Sequence, residues 1–195
     1  MVQLVLASTS PFRKALLQRL CMSFVTDAPA VDETPLPDEP PQDMVVRLAE
    51  AKARVVAQRH PGALIIGSDQ CAVLDGRPLG KPGNHHNAVE QLRRLSGRRV
   101  VFQTGLCLFN DATGEAQSCC VSYAVSFREL NDAQIENYLH KEQPYNCAGS
   151  FKSEGLGVAL FERMEGDDPS ALIGLPLIEL VSMLKCVGIE VLADR

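Results

Sequence analysis

The chain has 195 residues, 46% of them apolar and 22% charged, with 19 Lys and Arg against 24 Asp and Glu and a formal net charge of −5. This composition excludes a largely disordered chain and supports one globular domain over 1–195, or two small lobes around one core. Mild acidity also excludes the broad basic surface that binds duplex nucleic acid, so any phosphate recognition must come from a small local cluster of cations, which leaves small anionic substrates open.

In chain order, 2–7 reads as a buried strand, too short for a secretory segment or a bilayer span. Ser10 then caps a helix that opens with Pro11 and runs to about Leu20. A second strand is expected around 22–26. The following segment carries Pro29, Pro35, Pro37, Pro40 and Pro41, whose fixed φ and missing donors make it a loop, and it bears Asp32 and Glu33. From Pro41 to about His60 the apolar residues recur at helical spacing. A strand over 63–67, with Asp69 at its tip, precedes a hairpin that starts at 71–74 and turns at Asp75-Gly76.

A helix spanning Ala88 to Leu95 stops at Gly97, and long strands over 100–109 and 119–127 are expected to pair across the 110–114 turn. Asn131 caps a helix to about His140, a Gly- and Ser-containing loop runs over 147–157, and 158–161 reads as a strand. Leu177, Leu180, Val181 and Leu184 then share one face of a helical C-terminus punctuated by Asp168-Pro169 and Leu175-Pro176. The order predicts an α/β fold: an elongated mixed β-sheet flanked by helices, arranged as two lobes with a central cleft.

Seven cysteines, an odd number without a CxxC pair, predict inert thiols in a reducing cytoplasm. His85 and His86 point different ways on a helix, and no third ligand has metal-site spacing, so they read as a solvated pair. Neither the charge nor the pattern requires or excludes a homodimer.

Two cations stand in apolar company. Counting 100° per residue from Met44 puts Leu48 at about 40°, Val45 at about 100° and Lys52 at about 80°, inside the apolar stripe. Lys52 therefore needs a snorkelling route or an anionic partner. Arg13 falls among Leu16, Leu17 and Leu20 in the first turn of its helix, where the dipole disfavours a cation. That placement makes sense if a phosphate binds there, held by free helix N–H groups, Ser8, Ser10 and the guanidinium. Asp69 interrupts a buried run and Glu33 sits on a stiffened loop. Together they offer oxygen ligands for Mg²⁺ or Mn²⁺ and a base for water, while Lys81 in Gly80-Lys81-Pro82 adds a third cation.

The blocks Ala7-Ser8-Thr9-Ser10-Pro11-Phe12-Arg13, Val31-Asp32-Glu33, Ala51-Lys52-Ala53, Gly67-Ser68-Asp69-Gln70, Gly80-Lys81-Pro82 and the 149–157 loop, in this order, resemble the Maf family of nucleoside triphosphate pyrophosphatases over essentially the whole chain. The resemblance implies a metal-dependent cleavage between the α and β phosphates of a nucleotide substrate. It implies Ser8 and Arg13 as phosphate-binding residues, Glu33, Lys52 and Lys81 as site residues and Asp69 as proton acceptor; whether Asp69 is the base or chiefly a metal ligand stays open. The family's commoner branch, which resembles dTTP and UTP pyrophosphatases, has Arg, Thr and Gln where this chain has Phe12, Gln70 and Glu154. These three resemble the branch that hydrolyses 7-methyl-GTP in a house-cleaning role. Physically, an aromatic face at Phe12 stacks on a cationic purine, and the Glu154 carboxylate accepts from guanine N–H groups. A dTTP/UTP-type enzyme and a non-hydrolysing nucleotide-binding regulator of cell division are the alternatives.

Overall fold

A computed structural model describes residues 2–193. Seven strands form a sheet of order β2-β1-β3-β5-β6-β7, with β4 pairing β3. They are β1 (Leu4–Ala7), β2 (Val25–Asp27), β3 (Leu64–Leu74), β4 (Arg77–Leu79), β5 (Arg99–Asn110), β6 (Glu115–Phe127) and β7 (Phe161–Glu165). The helices are α1 (Pro11–Gln18), α2 (Pro41–Ala57), α3 (His85–Leu95), α4 (Asp132–Glu142), α5 (Pro169–Ile173) and α6 (Leu177–Cys186). Strand β1 runs parallel to both β2 and β3, whereas β4 and β7 pair antiparallel with their neighbours. The sheet is therefore mixed and flanked by helices. Among the described residues no helix is long and apolar enough to cross a membrane, and no disulfide joins any of the seven cysteines.

The chain divides into two compact units, residues 2–70, 104–121 and 168–193 in the first and 71–103 and 122–167 in the second. The first is a three-layer arrangement dictated by the period of two along its strands. Leu4, Leu6, Leu64, Ile66, Leu106 and Leu108 project to one face and pack with Leu16 and Leu17 of α1 and Leu180 and Leu184 of α6. Val5, Ala7, Ile65, Cys107 and Phe109 project to the other, against Ala49, Ala53 and Val56 of α2. In the second unit, Phe102, Phe127, Phe151 and Phe161 form a cluster of edge-to-face rings with neighbouring centroids 4.8–5.7 Å apart. Asn131 caps α4 in a reciprocal box with Gln134.

Three expectations need correction. Strand β3 does not stop before Asp69 but runs unbroken to Leu74, and the Asp75-Gly76 hairpin turns with φ of 49° and 75°, the signature of a primed turn. A carboxylate is tolerated mid-strand because the Lys52 ammonium of α2 lies 2.6 Å from it. Pairing with β1 covers 64–67 and pairing with β4 covers 72–74, so 68–71 lies between the two pairings. Residues 156–160 form a 3-10 turn instead of a strand, because the Lys152 carbonyl accepts from both Gly155 and Gly157 N–H and curls the backbone. The second strand lies at Val25–Asp27, later than expected, in register with the last three residues of β1.

Candidate active site

Three segments meet at the carboxyl ends of parallel strands, where open α/β sheets bind ligands. Beyond Ala7 the chain turns through Ser8, which is buried and whose hydroxyl accepts from Ser10 N–H at 3.1 Å. Ser10 in turn caps α1, accepting from Arg13 N–H at 3.4 Å, and Pro11 supplies the helical φ at the first position. Arg13 is thereby held in the first turn. Its Nε donates to the Gly174 carbonyl at 2.7 Å, and the Ser68 hydroxyl stands 2.9 Å from that same oxygen and 2.9 Å from Gly105 O. Gly174 follows α5 with φ of 120°, a conformation that favours glycine. Burial pushes the Arg13 pKa down, and the charges of Asp69 and Glu33 push it back up.

Lys52 is brought in by two glycines. A Cβ on Gly67 would lie 2.0 Å from Ala49 O, and one on Gly105 would lie 2.0 Å from Val45 O, so α2 rests its backbone directly on β3 and β5. This approach drives Lys52, only 5% exposed, toward the 68–71 stretch of β3. Its Nζ lies 2.6 Å from Asp69 Oδ1 and 2.6 Å from Glu33 Oε1. The lysine does not snorkel; it bridges two carboxylates, which offset the cost of taking its charge out of water.

Glu33 reaches that position because its loop is clasped to α2. Arg47 pairs with Glu39 at 2.5 Å and donates to Thr34 O at 3.3 Å, while Leu36 N–H donates to Glu39 Oε2 at 3.0 Å. Arg47 is the main cause of a Glu39 pKa of about 2, below the usual glutamate range. A depressed carboxylate stabilises the fold above its unfolded-state pKa, and that contribution disappears as pH falls through the folded value. Acidification from pH ~4.5 towards 2 should therefore lower the melting temperature less steeply in Glu39→Gln than in the parent chain; identical slopes would exclude the clasp as an acid-sensitive element.

Gln70 Nε2 is committed to Thr104 Oγ1 at 3.1 Å and to the Ala171 and Leu172 carbonyls at 2.8 and 3.0 Å, so this side chain ties β3 to α5. Phe12 is half-buried at the second position of α1. Lys81 and Glu154 belong to the second unit. Lys81 is exposed on the 80–84 loop, lining an open hollow with Asn87, Gln91 and Arg94. Glu154 is exposed on the 152–157 turn, which Glu142 holds by accepting from Leu156 N–H at 2.8 Å.

Two features escaped the sequence reading. Gly174 and Ser68 anchor Arg13 through a carbonyl contact that no spacing rule reveals. The expectation that His85 lacks metal-site neighbours is also corrected, since Glu136 and His140 of α4 place ligand atoms within 4.8 Å of one another and of a His85 nitrogen. The Glu136–His140 spacing of four residues on a helix was the available signal. Among the described residues this is the one group of three His, Cys, Asp or Glu ligands close enough to hold an ion.

Arg13 and Lys52 beside the paired carboxylates Glu33 and Asp69, on a sheet with helices on both faces, suit a nucleotide-handling hydrolase. The chain matches the model of the Maf-like proteins over residues 3–187 and belongs to the Maf family. Its relatives include a 7-methyl-GTP pyrophosphatase of Nitrosococcus oceani, 57% identical over 97% of this chain and 95% of that protein. Those of Methylobacillus flagellatus and Vibrio vulnificus are 56% and 55% identical, over 98% and 97% of this chain and 100% and 97% of theirs. Among solved structures, a HAM1 protein of Coxiella burnetii shares the fold with a TM-score of 0.56 and 18% identity, covering 95% of this chain and 99% of that one.

Proposed function

We propose that this chain hydrolyses 7-methyl-GTP to 7-methyl-GMP and pyrophosphate, in the cytoplasm and as a single domain over 1–195. The observation that carries the reading is the Lys52 ammonium bridging Glu33 and Asp69 in the same electrostatic neighbourhood as Arg13. Two cations and two carboxylates balance there, so a triphosphate needs additional positive charge. The oxygen donors of Glu33 and Asp69 suit a hard divalent cation, Mg²⁺ or Mn²⁺, and these two residues would hold it. Such an ion supplies charge neutralisation at the phosphates.

The remaining work falls to the chain itself. Arg13, Ser8, Ser10 and the α1 N-terminus bind phosphate oxygens, and Lys52 and Lys81 hold the departing pyrophosphate. Water attacks the α phosphorus, the bond from that phosphorus to the bridging oxygen breaks, and Asp69 takes the proton. Phe12 stacks on the methylated base and Glu154 accepts from its N–H groups, with Gln70 setting the neighbouring backbone.

Pyrophosphate release from dTTP, UTP, CTP, GTP and 7-methyl-GTP, with Mg²⁺ or Mn²⁺ and after chelation, tests this reading through kcat/KM. The expected result is a preference for 7-methyl-GTP that chelation abolishes. A preference for dTTP or UTP would discard the base-recognition argument, and no release from any triphosphate would favour a sensor. In the same assay Glu154→Gln should cost roughly 1 to 3 kcal/mol of selectivity between 7-methyl-GTP and GTP, the scale of a hydrogen bond to an ionised group. An equal loss on both nucleotides would remove Glu154 from recognition of the methyl-induced charge.

A further inference from the structure

His85, Glu136 and His140 converge within the second unit, on residues that the proposed hydrolysis does not use. His85 Nε2 lies 2.8 Å from Glu136 Oε2, and His140 Nε2 lies 3.6 Å from the same oxygen. Ligands in a tetrahedral zinc site, with bonds of about 2.0–2.1 Å, are separated by about 3.3 Å. The two observed separations bracket that value, and all three ligand atoms lie within 4.8 Å of one another. The imidazoles stack, with centroids 5.1 Å apart and planes 28° from parallel, and must rotate apart for both ring planes to contain one ion.

The surroundings resemble those of a ligated histidine. His85 Nδ1 is 2.9 Å from the Tyr145 hydroxyl, which can accept from Nδ1–H and so leave the Nε2 lone pair for a metal. Tyr145 is itself tied to the loop before α3, its carbonyl accepting from Gly83 N–H at 2.9 Å. Asn84 caps the helix at the Asn87 N–H, 2.9 Å away. His85, at the first position of α3, is therefore held by backbone on one side and by Tyr145 on the other. The sites remain accessible, with side-chain exposures of 36%, 43% and 71% for His85, Glu136 and His140.

We propose that His85, Glu136 and His140 form a site for a borderline transition-metal ion, Zn²⁺ foremost. The donor set separates it chemically from the oxygen-lined position proposed at Glu33 and Asp69: two imidazoles and one carboxylate favour Zn²⁺, Co²⁺ or Ni²⁺ over Mg²⁺. Three protein ligands leave a fourth position for water or an exogenous group. Bound there, the ion joins the start of α3, and with it the loop carrying Lys81, to α4. The site does not depend on the pyrophosphatase reading.

The test uses the full chain stripped of metal, with Zn²⁺ titrated against a chromophoric zinc indicator and Co²⁺ followed by visible absorption. The expected result is one Zn²⁺ bound to a site that Asp69→Asn leaves intact, and Co²⁺ bands of four-coordinate intensity. His140→Ala and Glu136→Gln should each weaken Zn²⁺ by more than about tenfold, and Tyr145→Phe by about tenfold. The His140→Ala, Glu136→Gln and Tyr145→Phe variants should keep the metal-free melting temperature of the parent, because the altered groups are partly or largely exposed. Zn²⁺ affinity within twofold of the parent in both His140→Ala and Glu136→Gln, or loss of the site only in Asp69→Asn, would overturn the proposal.

Discussion

Replacing Asp69 with Asn should lower kcat on the preferred triphosphate by roughly 100- to 10,000-fold, the range attributed to a positioned general base. Binding should survive. Asparagine keeps an oxygen to accept from Lys52, so the 2.6 Å contact that fills this corner of the site has a substitute. It also removes one negative charge from a cluster in which Arg13 and Lys52 face Glu33 and Asp69. Without divalent metal, a polyanion should then bind a non-turnover site as tightly as before or more tightly, measured as the Kd of a non-hydrolysable triphosphate analogue. Unchanged kcat would remove Asp69 from the chemistry. A Kd weakened in proportion to kcat would mean that Asp69 acts mainly in assembling the bound state.

The second large effect should come from one methyl group far less conspicuous than a catalytic carboxylate. Gly67→Ala sets a Cβ 2.0 Å from the Ala49 carbonyl oxygen and 3.0 Å from Ala53 N, and both are backbone atoms of a helix seated on the core. No rotamer relieves the clash, so α2 must shift. Overpacking of this kind costs about 3 kcal/mol, which for a chain of this size lowers Tm by roughly 6 to 12 °C. Activity should fall further than stability alone explains, because the same shift withdraws Lys52 from Asp69. Gly80→Ala is the control: nothing lies within 4 Å of its added Cβ, and an open site predicts a change within about 0.5 kcal/mol. Equal melting temperatures for the two variants would show that α2 does not depend on close contact at Gly67.

Much of this organisation could be read from residue order. Ser10 and Pro11 announced α1, Asn131 announced α4, and the alternation of Leu4, Leu6, Val5 and Ala7 gave the two faces of β1. Lys52 and Arg13 stood out because each broke an apolar stripe. Local signals were weaker where pairing decides the outcome. Val158 lies in an apolar stretch that looked strand-like, yet it is 56% exposed and belongs to a 3-10 turn. Asp69 seemed to end a strand because a carboxylate is costly mid-sheet, and that cost is offset by an ammonium from a helix seventeen residues earlier in the chain.

Helix caps, turns and strand faces depend on side chains a few positions apart, so the order of residues was enough to specify them. The family blocks could likewise be recognised in one dimension. Contacts between distant segments could not. The bridge from Lys52 to Glu33 and Asp69, the anchoring of Arg13 at Gly174, and the meeting of His85 with Glu136 and His140 join residues that no periodicity relates. Their geometry depends on how closely α2 approaches the sheet, where β1 stops pairing with β3, and how the loop before α3 is tied to Tyr145. Those are properties of packing, in which the absence of a Cβ at Gly67 matters as much as the charge on Lys52.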